Sequence, residues 1–129
     1  MIRYTDYPDR KTWLENRYKS LGASEIAIAC EMSRFKSRSD LWEEKTGRRQ
    51  AEDITENERV HYGTEAEQYL RALFALRHEK EYRVEYFPYR VYFNEEEPYL
   101  TATLDGLITR LIDGAKGSYE CKTVLVQKR

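Results

Sequence analysis

At Tyr82 the hydrophobic pattern of the chain changes period, and that change constrains the fold more than any other feature. Before Tyr82, apolar residues recur at helical spacing. From Tyr82 to Phe93 (YRVEYFPYRVYF) the chain is dense in aromatic and β-branched residues and takes up a period of two. Helices therefore come first and strands second, which is an α+β pattern.

Upstream of the change, residues 9–20 (DRKTWLENRYKS) place Trp13, Leu14, Arg17 and Tyr18 at helical spacing. They predict a short amphipathic helix that ends at Leu21-Gly22-Ala23. Ser24 stands where an N-cap belongs for a second helix through Met32, and capping is its plain structural role. A third short helix is expected from Asp40 to Lys45, stopping at Gly47, with residues 48–54 as a polar connector. The longest helix is predicted from Thr55 to about His78, with Thr55 as N-cap and Glu58 at the third helical position. Gly63, Glu67, Leu70 and Phe74 follow one another on a single face of it, so Glu67 turns inward. Glu65, two residues earlier, points about 200° away. Gly63 costs the helix about 1 kcal/mol relative to alanine. Its place one turn before an inward acid predicts close approach of backbone or ligand there. The plainer reading of Glu67 is a buried acid paired to a local Arg or Lys.

Beyond Tyr82 three strands are expected: Tyr82–Phe93 with a bend or edge at Pro88, Tyr99–Ile108, and Ser118 to about Val126. Turns at Asn94–Pro98 and Asp113–Gly117 join them into an antiparallel meander. On the last strand Glu120 and Lys122 share one face, Tyr119 and Cys121 the other. A carboxylate beside an ammonium there reads as a structural ion pair or as part of a metal-dependent site. The tyrosines of the first strand could stack on bases. Core packing is the stronger reading, because no glycine-aromatic signature of an RNA-binding sheet accompanies them.

A chain of 129 residues is expected to be one domain, 1–129, with a modest core. Its two cysteines, Cys30 and Cys121, lie in no Cys-x-x-Cys or Cys/His cluster, which argues against zinc and fits a reducing cytoplasm. No apolar run is long enough to span a bilayer, and Met1-Ile2-Arg3-Tyr4 opens a polar stretch unlike a signal peptide, so a soluble intracellular protein is expected. The net charge of -1 conceals a mixture in which 35% of residues are charged. Two basic clusters, Arg34–Arg38 and Lys45–Arg49, read first as solvated surface and second as phosphate-contacting patches, and Glu95-Glu96-Glu97 is acidic.

Three acids thus stand on different elements: Glu67 on the long helix, Asp105 on the second strand and Glu120 on the third, with Lys122 beside the last. Convergent carboxylates suit magnesium, which takes oxygen ligands and keeps several waters. Such an ion can activate water and stabilise charge at a phosphorus centre, and a neighbouring lysine can assist either task.

Four motifs occur in one order: Trp13-x3-Arg17-x6-Ser24, Gly63-Thr64-Glu65-Ala66-Glu67, Leu104-Asp105-Gly106 and Glu120-Cys121-Lys122. In these the chain resembles the PD-(D/E)XK nucleases, and within them the lambda-exonuclease-like, YqaJ-type viral recombinase family. The resemblance implies a restriction-endonuclease-like core in which Asp105 and Glu120 bind Mg2+ or Mn2+. The main-chain carbonyl of Cys121 is implied as a further metal ligand, and Glu67 would complete the acid set. Lys122 would be the catalytic lysine, and Arg17 and Ser24 would grip a terminal 5′ phosphate of DNA. It further implies exonuclease digestion of one strand of duplex DNA from its 5′ end, in recombination or end processing. A phage or prophage origin, action in the bacterial cytoplasm and ring-shaped trimers are implied as well.

The family's fold normally continues past the Glu-x-Lys strand with a helix and a strand, so the chain is expected to be shortened at its C-terminus. A partner protein or self-association would then cover the last strand. A second reading of another class follows: a non-catalytic nuclease fold that binds a protein partner or DNA, as a phage regulatory or anti-defence protein.

Overall fold

The computed structural model describes residues 1–54 and 56–124. In chain order the elements are β1 (Ile2–Asp6), α1 (Arg10–Arg17), β2 (Leu21–Gly22), a 3-10 turn (Ala23–Glu25), α2 (Ile26–Ala29) and α3 (Arg38–Lys45). There follow α4 (Glu58–Arg77), β3 (Tyr82–Glu85), β4 (Arg90–Asn94), β5 (Leu100–Ala102), β6 (Gly106–Arg110) and β7 (Lys116–Tyr119). The fold is α+β, and the chain forms two compact units. One comprises Met1–Glu52 and Pro88–Thr103; the other comprises Asp53–Phe87 and the chain from Leu104 onward.

The first unit holds a four-stranded sheet in the order β1-β4-β5-β2. β1 runs antiparallel to β4 with Asp6 opposite Arg90, β4 antiparallel to β5, and β2 parallel to β5. β1 was not foreseen, because its five residues are all exposed and the alternation of Ile2 and Tyr4 is too short to stand out from a polar opening. Its register rests on backbone pairing and on the two-pronged clasp of Arg90 on Asp6, at 2.8 and 2.9 Å. Leu41 on α3, at 4% exposure, is the buried apolar side chain among the described residues, and Glu44 beside it is buried with its carboxylate paired to Lys36 at 2.9 Å.

The second unit packs α4 with an antiparallel sheet ordered β3-β6-β7. Phe74 on α4 lies 5.0 Å from the ring of Tyr119 on β7 and 4.4 Å from His78 at its own C-cap. Gly106 and Thr109 of β6 are the most enclosed residues of this sheet. A Cβ on Gly106 would meet Tyr119 side-chain atoms at 3.2 Å, a tight contact that Tyr119 would have to yield to by a few tenths of an ångström.

The three-stranded antiparallel sheet is present, but it uses only part of each expected strand. The stretch Tyr82–Phe93 is two strands, β3 and β4, which enter different sheets. The stretch from Tyr99 divides likewise into β5 and β6. The third strand begins earlier and ends at Tyr119, so Glu120, Cys121 and Lys122 follow the strand instead of lying in it. Among the helices, α1 is capped by Asp9, whose carboxylate accepts the Thr12 N–H at 2.7 Å. Ser24 does not cap a helix: it lies inside the 3-10 turn, and Glu25 accepts the Gly22 N–H at 2.9 Å in its place. α3 starts two residues before the expected Asp40 because Ser37 caps it, and it ends before Gly47, whose φ of 77° is the left-handed conformation glycine tolerates. The expected capping residue of the long helix, Thr55, lies outside the described residues. Asn57 accepts the N–H groups of Arg59 and Val60 there. The C-terminal end of that helix falls as expected, with His78 as C-cap.

The aromatic and basic stretches are engaged within the protein. Tyr92 packs on Tyr4, Tyr89 on Trp13, and Tyr82 on His78, which is the packing reading of the strand tyrosines. In the first basic cluster Lys36 pairs with Glu44 and Arg38 with Glu31. In the second, Lys45 pairs with Glu25, Arg49 with Asp40 and Glu43, and Arg48 covers Trp42.

Candidate functional site

The second unit brings Glu67, Asp105 and Cys121 together. Asp105 sits in the bend that leads into β6, and its Oδ2 accepts the Cys121 N–H at 2.8 Å, just beyond the Gly106–Tyr119 pair that ends the β6–β7 ladder. The sheet thereby fixes one carboxylate oxygen. Glu67 approaches from α4 with 27% of its side chain exposed. Burial pushes its carboxyl above the ordinary range, the charge of Asp105 raises it further, and the nearby Arg71 opposes both. Burial likewise raises the phenol of Tyr119, with a side-chain hydrogen bond to Cys121 and the charge of Asp105 acting in the same direction and Arg71 against them. A half-buried carboxyl raised by the charge of a neighbouring carboxylate is an arrangement that a divalent cation relieves. The donors on offer are carboxylate oxygens and a main-chain carbonyl, a hard set suited to magnesium or manganese.

Glu120 and Lys122 are placed differently. They pair with one another, Nζ to Oε1 3.5 Å, and are 70% and 78% exposed. Among the described residues no three His, Cys, Asp or Glu side chains form a ready cluster for a metal. The segment carrying Glu120 and Lys122 nonetheless passes close to α4: a Cβ on Gly63 would stand 3.3 Å from the Thr123 hydroxyl. The close approach expected at Gly63 is therefore made by the chain just past Lys122.

The local Arg or Lys expected as the plainer partner of Glu67 is present as Arg71, a residue that sequence reasoning did not single out. Its Nη1 donates to Glu67 Oε1 at 3.2 Å and to the Asp105 carbonyl at 3.0 Å. The signal available was its position four residues after an inward Glu, the favourable order for a helical acid–base pair.

In the first unit, Arg17 lies in the last turn of α1 with its guanidinium 5.1 Å from the Trp13 ring centre, and Ser24 is exposed in the 3-10 turn. Lys45 links their surroundings: its Nζ donates to the Arg17 carbonyl at 2.6 Å and to Glu25 at 2.8 Å, and Glu25 holds the start of the 3-10 turn. Beside it opens a cavity of about 290 Å³ with aromatic walls from Tyr18, Trp42 and Tyr99 and cationic ones from Lys19 and Arg38.

The sequence model of the YqaJ-like viral recombinase domain matches residues 12–128, from α1 to beyond Lys122. The chain belongs to the YqaJ-like viral recombinase family. Its family match takes in Arg17 and Ser24 as well as Glu67, Asp105, Glu120 and Lys122. Among known proteins, this YqaJ-like chain is 29% identical over 114 residues to the uncharacterized protein YqaJ of Bacillus subtilis (strain 168). That alignment covers 88% of the chain and 33% of YqaJ, so the chain spans about a third of the length of the relative it matches. No solved structure matches the chain. Among the described residues, no helix is long and apolar enough to cross a membrane.

Proposed function

We propose that residues 1–129 act as a nuclease domain of the phage-recombinase kind, hydrolysing phosphodiester bonds from a 5′ end of duplex DNA with Mg2+ or Mn2+. The observation that carries the reading is the convergence of Glu67 and Asp105, both held by one Arg71 nitrogen, with the charge of Asp105 raising the Glu67 carboxyl while the Cys121 N–H pins Asp105. Such an arrangement lowers stability, and ion binding gives it a purpose. Glu67, Asp105, Glu120 and the Cys121 carbonyl would hold the ion, which when bound supplies Lewis acidity toward the phosphodiester. Lys122, on a short tether after Cys121, orients the attacking water or meets charge developing on the phosphate. The exposed ammonium of Lys122 is open to solvent and substrate, and it pairs with Glu120. Arg17 supplies a guanidinium fork and Ser24 a hydroxyl for the terminal 5′ phosphate. The reading extends to action in a phage-infected or prophage-bearing bacterial cell, as a homo-oligomer or with a protein partner.

The test is digestion of 5′-phosphorylated duplex DNA with magnesium, alongside Asp105→Asn and Lys122→Ala. Cleavage by the unaltered chain that both substitutions abolish supports the proposal. Equal inertness of all three defeats it and favours the other reading, a nuclease fold that binds protein or DNA without cutting. The mutual pairing of Glu120 and Lys122 on an exposed segment favours that second reading, since both groups are engaged with each other away from the Glu67–Asp105 pair.

A further inference from the structure

Arg71 is the best-held cation beside the two acids. It lies one helical turn after Glu67, is 14% exposed, and makes three contacts. Its Nη1 meets Glu67 Oε1 at 3.2 Å and the Asp105 carbonyl at 3.0 Å, and its guanidinium carbon stands 3.6 Å from the ring centre of Tyr86. A single nitrogen therefore joins α4 to the bend before β6, the two places from which the acids project. An ordinary ion pair along a helix needs neither the carbonyl nor the ring. A planar guanidinium can donate in two directions while stacking, and an ammonium cannot stack in that way.

The choice of partner on Asp105 matters. Arg71 takes the main-chain carbonyl, and the Cys121 N–H takes Oδ2. The Asp105 carboxylate is thus fixed by an N–H, and among the described residues no cation forms an ion pair with it. Tyr86 closes the third side of the guanidinium and limits its rotation.

We infer that Arg71 is a positioning residue for the divalent-ion site, holding Glu67 and the Asp105 bend at the separation from which both can ligate. The inference rests on reading Glu67 and Asp105 as ion-binding acids. Outer partners of ligating side chains commonly change metal affinity or activity by about 10–100-fold when removed.

Calorimetric titration of Mn2+ into the unaltered chain and into Arg71→Lys, Arg71→Met, Tyr86→Leu and Asp105→Asn tests it, with folding of each checked by circular dichroism. Arg71→Lys and Arg71→Met are expected to weaken Mn2+ binding by about tenfold or more. Tyr86→Leu should weaken it by less. In the DNA assay Arg71→Lys is expected to lower kcat with KM unchanged. Arg71→Lys keeps the charge, so unchanged affinity in that variant overturns the inference. Tighter binding in Arg71→Met also overturns it, since that marks a cation that merely competes with the ion. Should Arg71→Met fail to fold, Arg71→Lys and Tyr86→Leu carry the decision. Loss of Mn2+ binding in Asp105→Asn but not in Arg71→Lys defeats the inference alone. Equal Mn2+ binding, or none, in the unaltered chain and Asp105→Asn defeats the underlying ion-site reading and the inference with it.

Discussion

Glu67 is harder to ionise in this fold than in water, because burial and the charge of Asp105 together outweigh Arg71. The folded chain therefore keeps the proton of Glu67 at pH values where the unfolded chain has lost it. Stability from that proton is fully present below the ordinary carboxyl pKa and is lost as pH rises through the raised folded value. Glu67→Gln should accordingly raise the Tm of the ion-free chain at neutral pH, and the difference should shrink as pH is lowered through the carboxyl range. Thermal melts at a series of pH values check this; a lower Tm for Glu67→Gln at neutral pH would contradict it. The inward direction of Glu67 was legible from its spacing to Gly63 and Phe74, since helical geometry fixes which positions share a face. A local Arg or Lys beside Glu67 was legible too, and Arg71 is that partner, but its two other contacts were not. Only the fold brings the Asp105 carbonyl and the Tyr86 ring to its guanidinium.

Period two announced strands after Tyr82, and strands are there, but periodicity reports which residues alternate faces and says nothing of which sheet receives them. Pro88 falls between β3 and β4, and β4 finds its partner in β1, an exposed strand whose apolar signature is only Ile2 and Tyr4. The same blindness hid the end of β7 before Glu120. Glycines test how these elements meet. Gly63→Ala should gain α4 about 1 kcal/mol of helix propensity while its methyl presses on the Thr123 hydroxyl, which must shift a few tenths of an ångström. The expected outcome is an unchanged or raised Tm together with slower DNA cleavage, because the displaced segment carries Glu120 and Lys122. Full activity in the bulkier Gly63→Val would refute that link. Gly106→Ala differs, since its methyl would be driven against the Tyr119 side chain and Val84 within a closed ladder. Urea denaturation should show a loss of about 1–3 kcal/mol.

The chain assigns its candidate roles to separate units. Arg17 and Ser24 belong to the unit built on β1-β4-β5-β2, while Glu67, Asp105, Glu120 and Lys122 belong to the one built on β3-β6-β7. That division was not legible, because the chain passes between units first at Glu52–Asp53, in the expected polar connector, and then near Phe87 and near Thr103, inside stretches that each read as one strand. It has a kinetic consequence under the proposed function. A group that grips a terminal phosphate without touching the scissile bond contributes to binding, whereas a group at the reacting phosphate contributes to the chemical step. Arg17→Ala should therefore remove the preference for 5′-phosphorylated over 5′-hydroxyl ends, raising KM for the phosphorylated duplex by about tenfold, as loss of a charge-assisted contact worth about 1.5 kcal/mol predicts. Its kcat should stay within about twofold, while Lys122→Ala should lower kcat with little change in KM. Steady-state rates on matched duplexes differing only in the 5′ group separate the two variants. If Arg17→Ala lowers kcat on both ends equally, Arg17 does not act as an end-phosphate grip. The parallel variant Lys45→Met then tells whether its role lies in the link that Lys45 makes between the Arg17 carbonyl and Glu25.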